Sequence, residues 1–142
     1  MFAVPPNTVA LPAAPAAAHP ALVARLLAED VARWRALLEF NPRERFVTLI
    51  ERTPAQEVWL MSWLPGQGTD LHDHGPAHGA FTVVAGTLTE RVERGPVPNR
   101  HRVATGQSRV FAPGYVHQVT NDGLEPAVSI HVYRPARYNC TP

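Results

Sequence analysis

The stretch LHDHGPAHG, residues 71–79, determines how this sequence is interpreted, because it places three of the chain's seven histidines within nine positions. Neutral imidazole is a common metal ligand, and histidine also titrates near neutral pH. Alternate residues of a strand share one face, so an extended backbone would aim His72 and His74 at one point and turn Asp73 away. The alternative is a solvated loop that happens to be rich in histidine, since short motif matches carry a false-positive risk.

A metal ion at this stretch would need a third ligand from elsewhere in the chain. The segment GYVHQVTN, residues 114–121, offers His117, which follows the turn residues APG and begins a new strand. Two ligands on one strand and a third on a neighbouring strand predict a three-histidine face with open coordination positions. Zinc or nickel would suit the same imidazoles, so the ligand set alone does not identify the metal.

The chain around the histidines is rich in short strand-like runs. Six of them lie between about residues 45 and 135, bounded by Gly, Pro, Asn and Asp: RFVTLIE, EVWLMSWL, AFTVVAG, TLTERVE, RVF and AVSIHVY. Short strands at this spacing, without helices between them, predict an antiparallel sandwich or a small barrel. Apolar residues at helical spacing over 20–40 predict one amphipathic helix, opened by a proline and packed outside the barrel.

The length of 142 residues suits one domain, which we predict to span residues 20–142. Residues 1–19 are uncharged, rich in Ala and Pro, and lack the basic start and unbroken apolar run of a signal peptide. We expect them to form an extended arm. No segment is apolar over the length needed to cross a membrane.

Charge and rare residues exclude several functions. The formal net charge is +1 and the basic residues are scattered, which argues against a nucleic-acid partner. All basic residues are arginine, so Schiff-base catalysis and a Walker-type phosphate lysine are excluded. Cys140 is the only cysteine, so no disulfide can form within the chain, and a cytoplasmic location is favoured. The sequence leaves the oligomeric state open.

Two motifs in order resemble the cupin superfamily. Gly66 followed by five residues and HDH is similar to the start of the first cupin motif, and Gly86 is similar to its end. In that motif a glutamate stands where this chain has Gly79. The second motif ends Gly-x-x-His-x-x-x-Asn, and GYVHQVTN (114–121) is similar to it, although its Pro-x-Gly element is imperfect.

Within the cupins, the chain from about Arg45 to Pro135 resembles the cysteine dioxygenase family. WLPGQGTDLHDHGPAHG (63–79) and PAVSIHVYRP (126–135) carry the resemblance. It implies a jelly-roll-like β-barrel and ferrous iron, Fe(II), held by His72, His74 and His117. It also implies that O2 oxidises a small thiol such as L-cysteine to its sulfinate.

The segment Ser129-x-His131-x-Tyr133 is implied by the same resemblance to be a hydrogen-bonded triad beside the metal. In the family the tyrosine hydroxyl reaches the substrate and oxygen, a role that would fall to Tyr133, with His131 orienting it and Ser129 behind. In isolation, this stripe of alternate polar residues would be the solvated face of a strand. Val128, Ile130 and Val132 would then form its core face.

Three neutral imidazoles have a chemical consequence that does not depend on the resemblance. Many non-haem iron oxygenases use two histidines and one carboxylate, but Gly79 supplies no carboxylate at the cupin glutamate position. The cation would therefore keep its full charge and favour an anionic co-ligand. A substrate thiolate meets that need, because metal binding deprotonates a thiol.

The chain departs from the resembled family at two positions. Many members carry a cysteine, crosslinked to the tyrosine, where this chain has Gly79, so that thioether cannot form here. Cysteine-specific members hold the substrate carboxylate with an arginine on an early strand, and here that place falls at Leu49 or a neighbour such as Val47. Arg45 and Arg52 flank it, and the pattern favours solvated strand ends for both.

Three functions remain open at this level. The leading one is an iron-dependent thiol dioxygenase, with mercaptocarboxylates and amine thiols as alternative substrates and other products possible. Another cupin enzyme is disfavoured by Gly79, and a non-catalytic metal-binding or ligand-binding cupin is disfavoured by the Ser129–Tyr133 stripe. His78 is expected either to support the metal shell or to end a loop.

Overall fold

A computed structural model describes residues 18–93, 95–136 and 141–142. Most of the arm predicted at residues 1–19, and also Cys140, lie outside the described residues. No helix in the described part of the chain combines the length and the apolar character needed to cross a membrane.

The described chain is mainly β and forms two antiparallel sheets packed as a barrel. The five-stranded sheet has the order β1-β2-β8-β3-β6, and the three-stranded sheet has the order β5-β4-β7. The strands are β1 (Phe46–Arg52), β2 (Glu57–Trp63), β3 (His78–Ala85), β4 (Thr87–Val92), β5 (Asn99–Ala104), β6 (Ser108–Phe111), β7 (His117–Thr120) and β8 (Ala127–Arg134). The predicted fold class, a jelly-roll-like barrel with an N-terminal helix, is confirmed.

The five-stranded sheet is covered on both faces, which explains why every residue of β2 is buried. Its inner face fills the barrel with a cluster that includes Trp59, Met61, Trp63, Phe81 and Val83. Its outer face packs under the helix α1 (Pro20–Glu29) through a second cluster that includes Val23, Leu27, Leu60, Ile130 and Val132. Alternation along β2 and β8 therefore separates an interior layer from a helix-facing layer.

The helix α1 is shorter than the span of 20–40 that the apolar spacing predicted. Pro20 opens it, and the chain continues after Glu29 as two 3₁₀ turns, Val31–Arg33 and Arg35–Leu37. The last carbonyls of a helix lack helical partners, and here the Trp34 indole donates to the Leu27 carbonyl at 2.8 Å. Trp34 thus continues the apolar stripe by folding back over the helix end.

Strand β5 was not predicted. Its sequence, NRHRVA, is polar because it is an edge strand of the smaller sheet, and half of its residues are exposed. Edge strands carry charged side chains that discourage pairing with other chains, so the apolar alternation that reveals inner strands is absent there.

Candidate metal centre

The barrel brings His72, His74 and His117 together at one end. His72 and His117 form an isolated antiparallel bridge, in which each backbone N–H donates to the other's carbonyl at 2.9 Å. The stretch around His72 is otherwise irregular rather than the strand that the His-x-His spacing predicted. Asp73 is exposed and accepts a hydrogen bond from the Gly75 N–H at 2.7 Å, so it faces away from the cluster.

The three rings offer nitrogen atoms at the spacing of a metal site. One nitrogen from each ring lies within 4.8 Å of the others, and His74 Nε2 is 3.3 Å from His117 Nε2. Metal–nitrogen bonds of about 2.1 Å place two neighbouring ligand atoms roughly 3 Å apart. The donor set therefore fits one divalent cation.

His72 is oriented by the backbone. Its Nδ1 lies 2.7 Å from the Asp70 carbonyl oxygen, which accepts the ring proton there and leaves Nε2 as the ligand atom. Burial lowers the pKa of His72, the Asp70 carbonyl opposes that shift, and the positive charge of Arg45 adds to it. A lowered pKa keeps the ring neutral, which is the form that binds a metal.

His117 is oriented by a carboxylate that sequence reasoning missed. Its Nδ1 lies 2.7 Å from Glu90 Oε2, and Glu90 is fully buried. Arg109 Nε donates to Glu90 Oε1 at 2.6 Å, and the Tyr115 hydroxyl donates to the same oxygen at 3.3 Å. Burial raises the pKa of Glu90, but the hydrogen bonds from His117 and Arg109 outweigh it and hold that pKa below its ordinary value.

The signal for Glu90 was present in the sequence. In strand β4, TLTERV, alternate residues are buried, and Glu90 lies on the same inward face as Leu88 and Val92. A charged residue on the apolar face of a strand needs a partner inside the protein, and this requirement is the signal that points to Glu90.

Ser129, His131 and Tyr133 line the interior of β8 and form a hydrogen-bonded chain. Ser129 Oγ lies 2.7 Å from His131 Nε2, and the Tyr133 hydroxyl lies 3.5 Å from His131 Nδ1, a long contact. Trp63 Nε1 donates to Ser129 Oγ at 2.9 Å and extends the chain by one member. The Tyr133 ring packs 4.7 Å from the His74 ring, centroid to centroid, so the chain ends beside the three-histidine cluster.

Burial favours the neutral form of His131. It lowers the pKa of this ring well below the ordinary value, and Arg45 and the nearby histidines add to the effect. Phe81 stacks on the ring at 4.9 Å between centroids and fixes its plane. A neutral imidazole has one donor and one acceptor nitrogen, so it relays one hydrogen bond between Ser129 and Tyr133.

Arg45 points into the barrel and is not the solvated strand end that the sequence favoured. Its guanidinium carbon lies 5.5 Å from the Trp63 ring centroid, and Nη1 donates to Met61 Sδ at 3.3 Å. Nη2 donates to the main-chain oxygen of Pro142 at 2.6 Å. Leu49, which stands where we placed the family's arginine, packs against the interior cluster instead.

Gly79 lies where two strands approach too closely for a side chain. A Cβ atom built there would be 1.8 Å from the Val132 carbonyl oxygen and 2.9 Å from Phe111 Cζ. The position therefore has no room for a metal-binding glutamate or for a cysteine crosslinked to Tyr133.

A small internal cavity joins these groups. Its volume is about 10 Å³, and its lining includes Arg45, Trp63, His72, His117 and Tyr133. A wider pocket of about 510 Å³ shares Arg45, His72 and Pro142 with this cavity and is also lined by Asp70 and Asp73. Among the described residues that line the internal cavity, Arg45 is the only arginine and there is no Asp or Glu side chain.

The structure also gives the positions of His78 and Val119. His78 is exposed at the first residue of β3 and lies outside the three-histidine cluster. Val119 is buried and lines the cavity beside His117, as alternation along β7 requires.

Comparison with known proteins gives a family and several relatives. The family model described as cysteine dioxygenase type I matches residues 14–141. Cysteine dioxygenase type 1 of Homo sapiens is 24% identical over 122 residues, which cover 78% of this chain and 61% of that protein. The Bos taurus protein of the same name is 23% identical over 120 residues, covering 77% of this chain and 60% of its own. The chain thus spans about three-fifths of the length of these relatives.

Solved structures share the fold. A protein called TT1209 from Thermus thermophilus superposes with a TM-score of 0.66 at 22% identity, covering 72% of this chain and 94% of that one. A Klebsiella pneumoniae protein described as having a double-stranded beta-helix domain superposes with a TM-score of 0.64 at 23% identity, covering 71% and 85%. At these identities the likeness establishes the barrel and nothing about its chemistry.

Proposed function

Because this chain belongs to the cysteine dioxygenase type I family, we propose that it is an iron-dependent thiol dioxygenase. The substrate would be a small thiol that carries a carboxylate, such as L-cysteine or a mercaptocarboxylate. One observation carries the proposal: three imidazole nitrogens lie within 4.8 Å of one another, and two of these rings, His72 and His117, line a cavity with Arg45 and Tyr133.

The overall reaction would convert R–SH and O2 into R–SO2H, so that both oxygen atoms end on sulfur. Sulfur is oxidised by four electrons and dioxygen is reduced by the same number. His72, His74 and His117 would hold Fe(II), which when bound would supply the redox chemistry between the thiol and dioxygen.

Arg45 would bind the carboxylate of the substrate. Its guanidinium is a permanent cation in an interior with no Asp or Glu side chain among the described lining residues, and its fork suits a planar anion. The main-chain oxygen of Pro142 now accepts the hydrogen bond from Nη2, and a substrate carboxylate would replace it. A cationic thiol such as cysteamine would meet the like charge of Arg45.

Tyr133 lines the same cavity and would act on the reacting atoms through its hydroxyl. The chain from Trp63 through Ser129 to His131 limits the directions in which that hydroxyl can donate or accept. The buried neutral imidazole prevents a second positive charge from forming beside the cation. Water is restricted because the internal cavity has a volume of only about 10 Å³.

The test is oxygen uptake by iron-loaded protein with cysteine, 3-mercaptopropionate and cysteamine, with products identified by mass. We expect a mass gain of two oxygen atoms for the carboxylate-bearing thiols and little turnover of cysteamine. If the protein binds iron but takes up no oxygen with any thiol, the proposal is refuted and a metal-binding cupin without catalysis is favoured.

A further inference from the structure

Glu90 is a fully buried carboxylate whose partners connect the three-histidine cluster to the barrel surface. Oε2 accepts the ring proton of His117 at 2.7 Å, and Oε1 accepts from Arg109 Nε at 2.6 Å. Both contacts have the short length of charge-assisted hydrogen bonds. The Glu90 side chain has no exposed surface, whereas Arg109 is 31% exposed, so the arrangement runs from the metal ligand outward to solvent.

The first consequence is orientation. A carboxylate only accepts hydrogen bonds, so His117 must carry its proton on Nδ1. The lone pair of Nε2 is then available on the side facing His74, whose own Nε2 lies 3.3 Å away. Glu90 therefore selects the tautomer of His117 that can bind a cation.

The second consequence concerns charge. The three ligand rings are neutral when they bind a metal, and the backbone at Gly79 leaves no room for a coordinating carboxylate. Among the described residues at this end of the barrel, Glu90 is the carboxylate that is bonded to a ligand ring. Its negative charge lies one imidazole away from the metal position, and Arg109 neutralises part of it.

We infer that Glu90 is a positioning residue that supplies the metal centre, through His117, with the negative charge that Gly79 withholds. Arg109 limits how much of that charge reaches the metal. The inference rests on the proposed metal site but not on the identity of the thiol or on turnover. Loss of such a partner of a ligating histidine typically weakens metal binding by about 10- to 100-fold.

The first experiment measures metal binding alone, by competition of Co(II) or Zn(II) with a chelating dye on metal-free protein. Glu90→Gln keeps the shape and an acceptor oxygen but removes the charge, and we expect metal affinity to fall by about 10- to 100-fold. Glu57→Gln is the matched control, since Glu57 is equally buried but accepts from Trp59 and Arg52. We expect the control to keep wild-type affinity. Equal affinity in wild type and Glu90→Gln would overturn the inference.

A second readout separates charge from general damage, and it adds a variant at the partly exposed Arg109. With iron bound and no thiol, the Fe(III)/Fe(II) potential should rise in Glu90→Gln, because a lost negative charge disfavours Fe(III). It should fall in Arg109→Gln, because that change exposes more of the Glu90 charge to the metal. Shifts of the same sign in both variants, or no shift in Arg109→Gln, would overturn the inference. Wild-type protein that binds no metal would instead refute the proposed function.

Discussion

If the proposed function is correct, the direction of the Arg45 side chain determines which substrates the cavity can hold. It lies just before β1 and turns inward over Trp63, while Arg52 at the other end of the strand pairs with Glu57. An exposed arginine there would leave the cavity neutral and open to amine thiols. Under the proposed function, the inward arginine would favour anionic substrates.

Arg45→Gln should lower kcat/KM for carboxylate-bearing thiols by about 10- to 100-fold, mainly through KM. The lost interaction is one charge-assisted hydrogen-bonded pair, and such a pair contributes about 1.5–3 kcal/mol. Steady-state oxygen uptake with 3-mercaptopropionate measures the change. Arg33→Gln removes the same charge from a surface ion pair with Glu51 and should change KM less than twofold. Equal losses in the two variants would refute the role of Arg45.

Tyr133→Phe should reduce kcat by roughly 100-fold, within the range for a positioned proton donor, and leave iron content unchanged. Tyr133 lines the cavity, whereas the three candidate ligand atoms all belong to histidines. Iron per protein by metal analysis, together with single-turnover product, checks both parts. Substantial iron loss would show that Tyr133 supports the metal itself rather than the reaction.

At the scale of elements, the close approach of β3 to β8 removes two features that a cupin barrel can carry: a metal-binding glutamate and a cysteine crosslinked to the tyrosine. The strands pair Gly79 with Tyr133, and the backbone of β8 occupies the space that a side chain at residue 79 would need. The absence of a crosslink is thus a property of the backbone and not only of the residue type. A cysteine placed there could not reach Tyr133 without moving β8.

Gly79→Ala should lower the free energy of unfolding by more than about 2 kcal/mol, because overpacking a rigid site is strongly destabilising. The added Cβ would lie 1.8 Å from the Val132 carbonyl oxygen. Urea unfolding of the metal-free protein measures the loss. Gly123→Ala is the control: its Cβ would meet only Asn121 Oδ1 at 3.4 Å, so the change should stay within about 0.5 kcal/mol. Similar effects of the two substitutions would contradict the close approach.

At the scale of the whole molecule, the buried His131 couples folding to pH. Burial and the nearby positive groups lower its pKa in the folded protein, while the unfolded chain has a value of about 6.5. Below that value the unfolded state binds a proton that the folded state does not, so stability decreases as pH falls. Above it both states are neutral, and the contribution of His131 is fully present.

Metal-free protein should therefore lose stability between about pH 7 and pH 5, and His131→Gln should lose less over the same range. Urea unfolding at several pH values gives the slope. His78→Gln, which removes an exposed ring, should keep the wild-type slope. If His131→Gln has that slope as well, another group is responsible for the pH dependence.

The same scale shows where prediction from sequence succeeded and where it failed. The inner strands were predictable because a buried face imposes alternation, as in β8, where Ser129, His131 and Tyr133 share the interior face. Strand β5 was not, since an exposed edge imposes no apolar pattern. The helix was predicted too long because the apolar stripe continues through Trp34 after the helical backbone has ended at Glu29.

By itself the sequence determined the candidate ligands and the strands that carry them, because residue type and local periodicity depend only on neighbours in the chain. Only the tertiary structure decided which groups meet. Glu90 and His117 are 27 residues apart, and the pairing of β4 with β7 brings them together. Arg45 faces the cavity because of where the chain enters β1, and Gly79 is confined by a strand more than 50 residues later. Such contacts depend on strand register and packing, which no local pattern encodes.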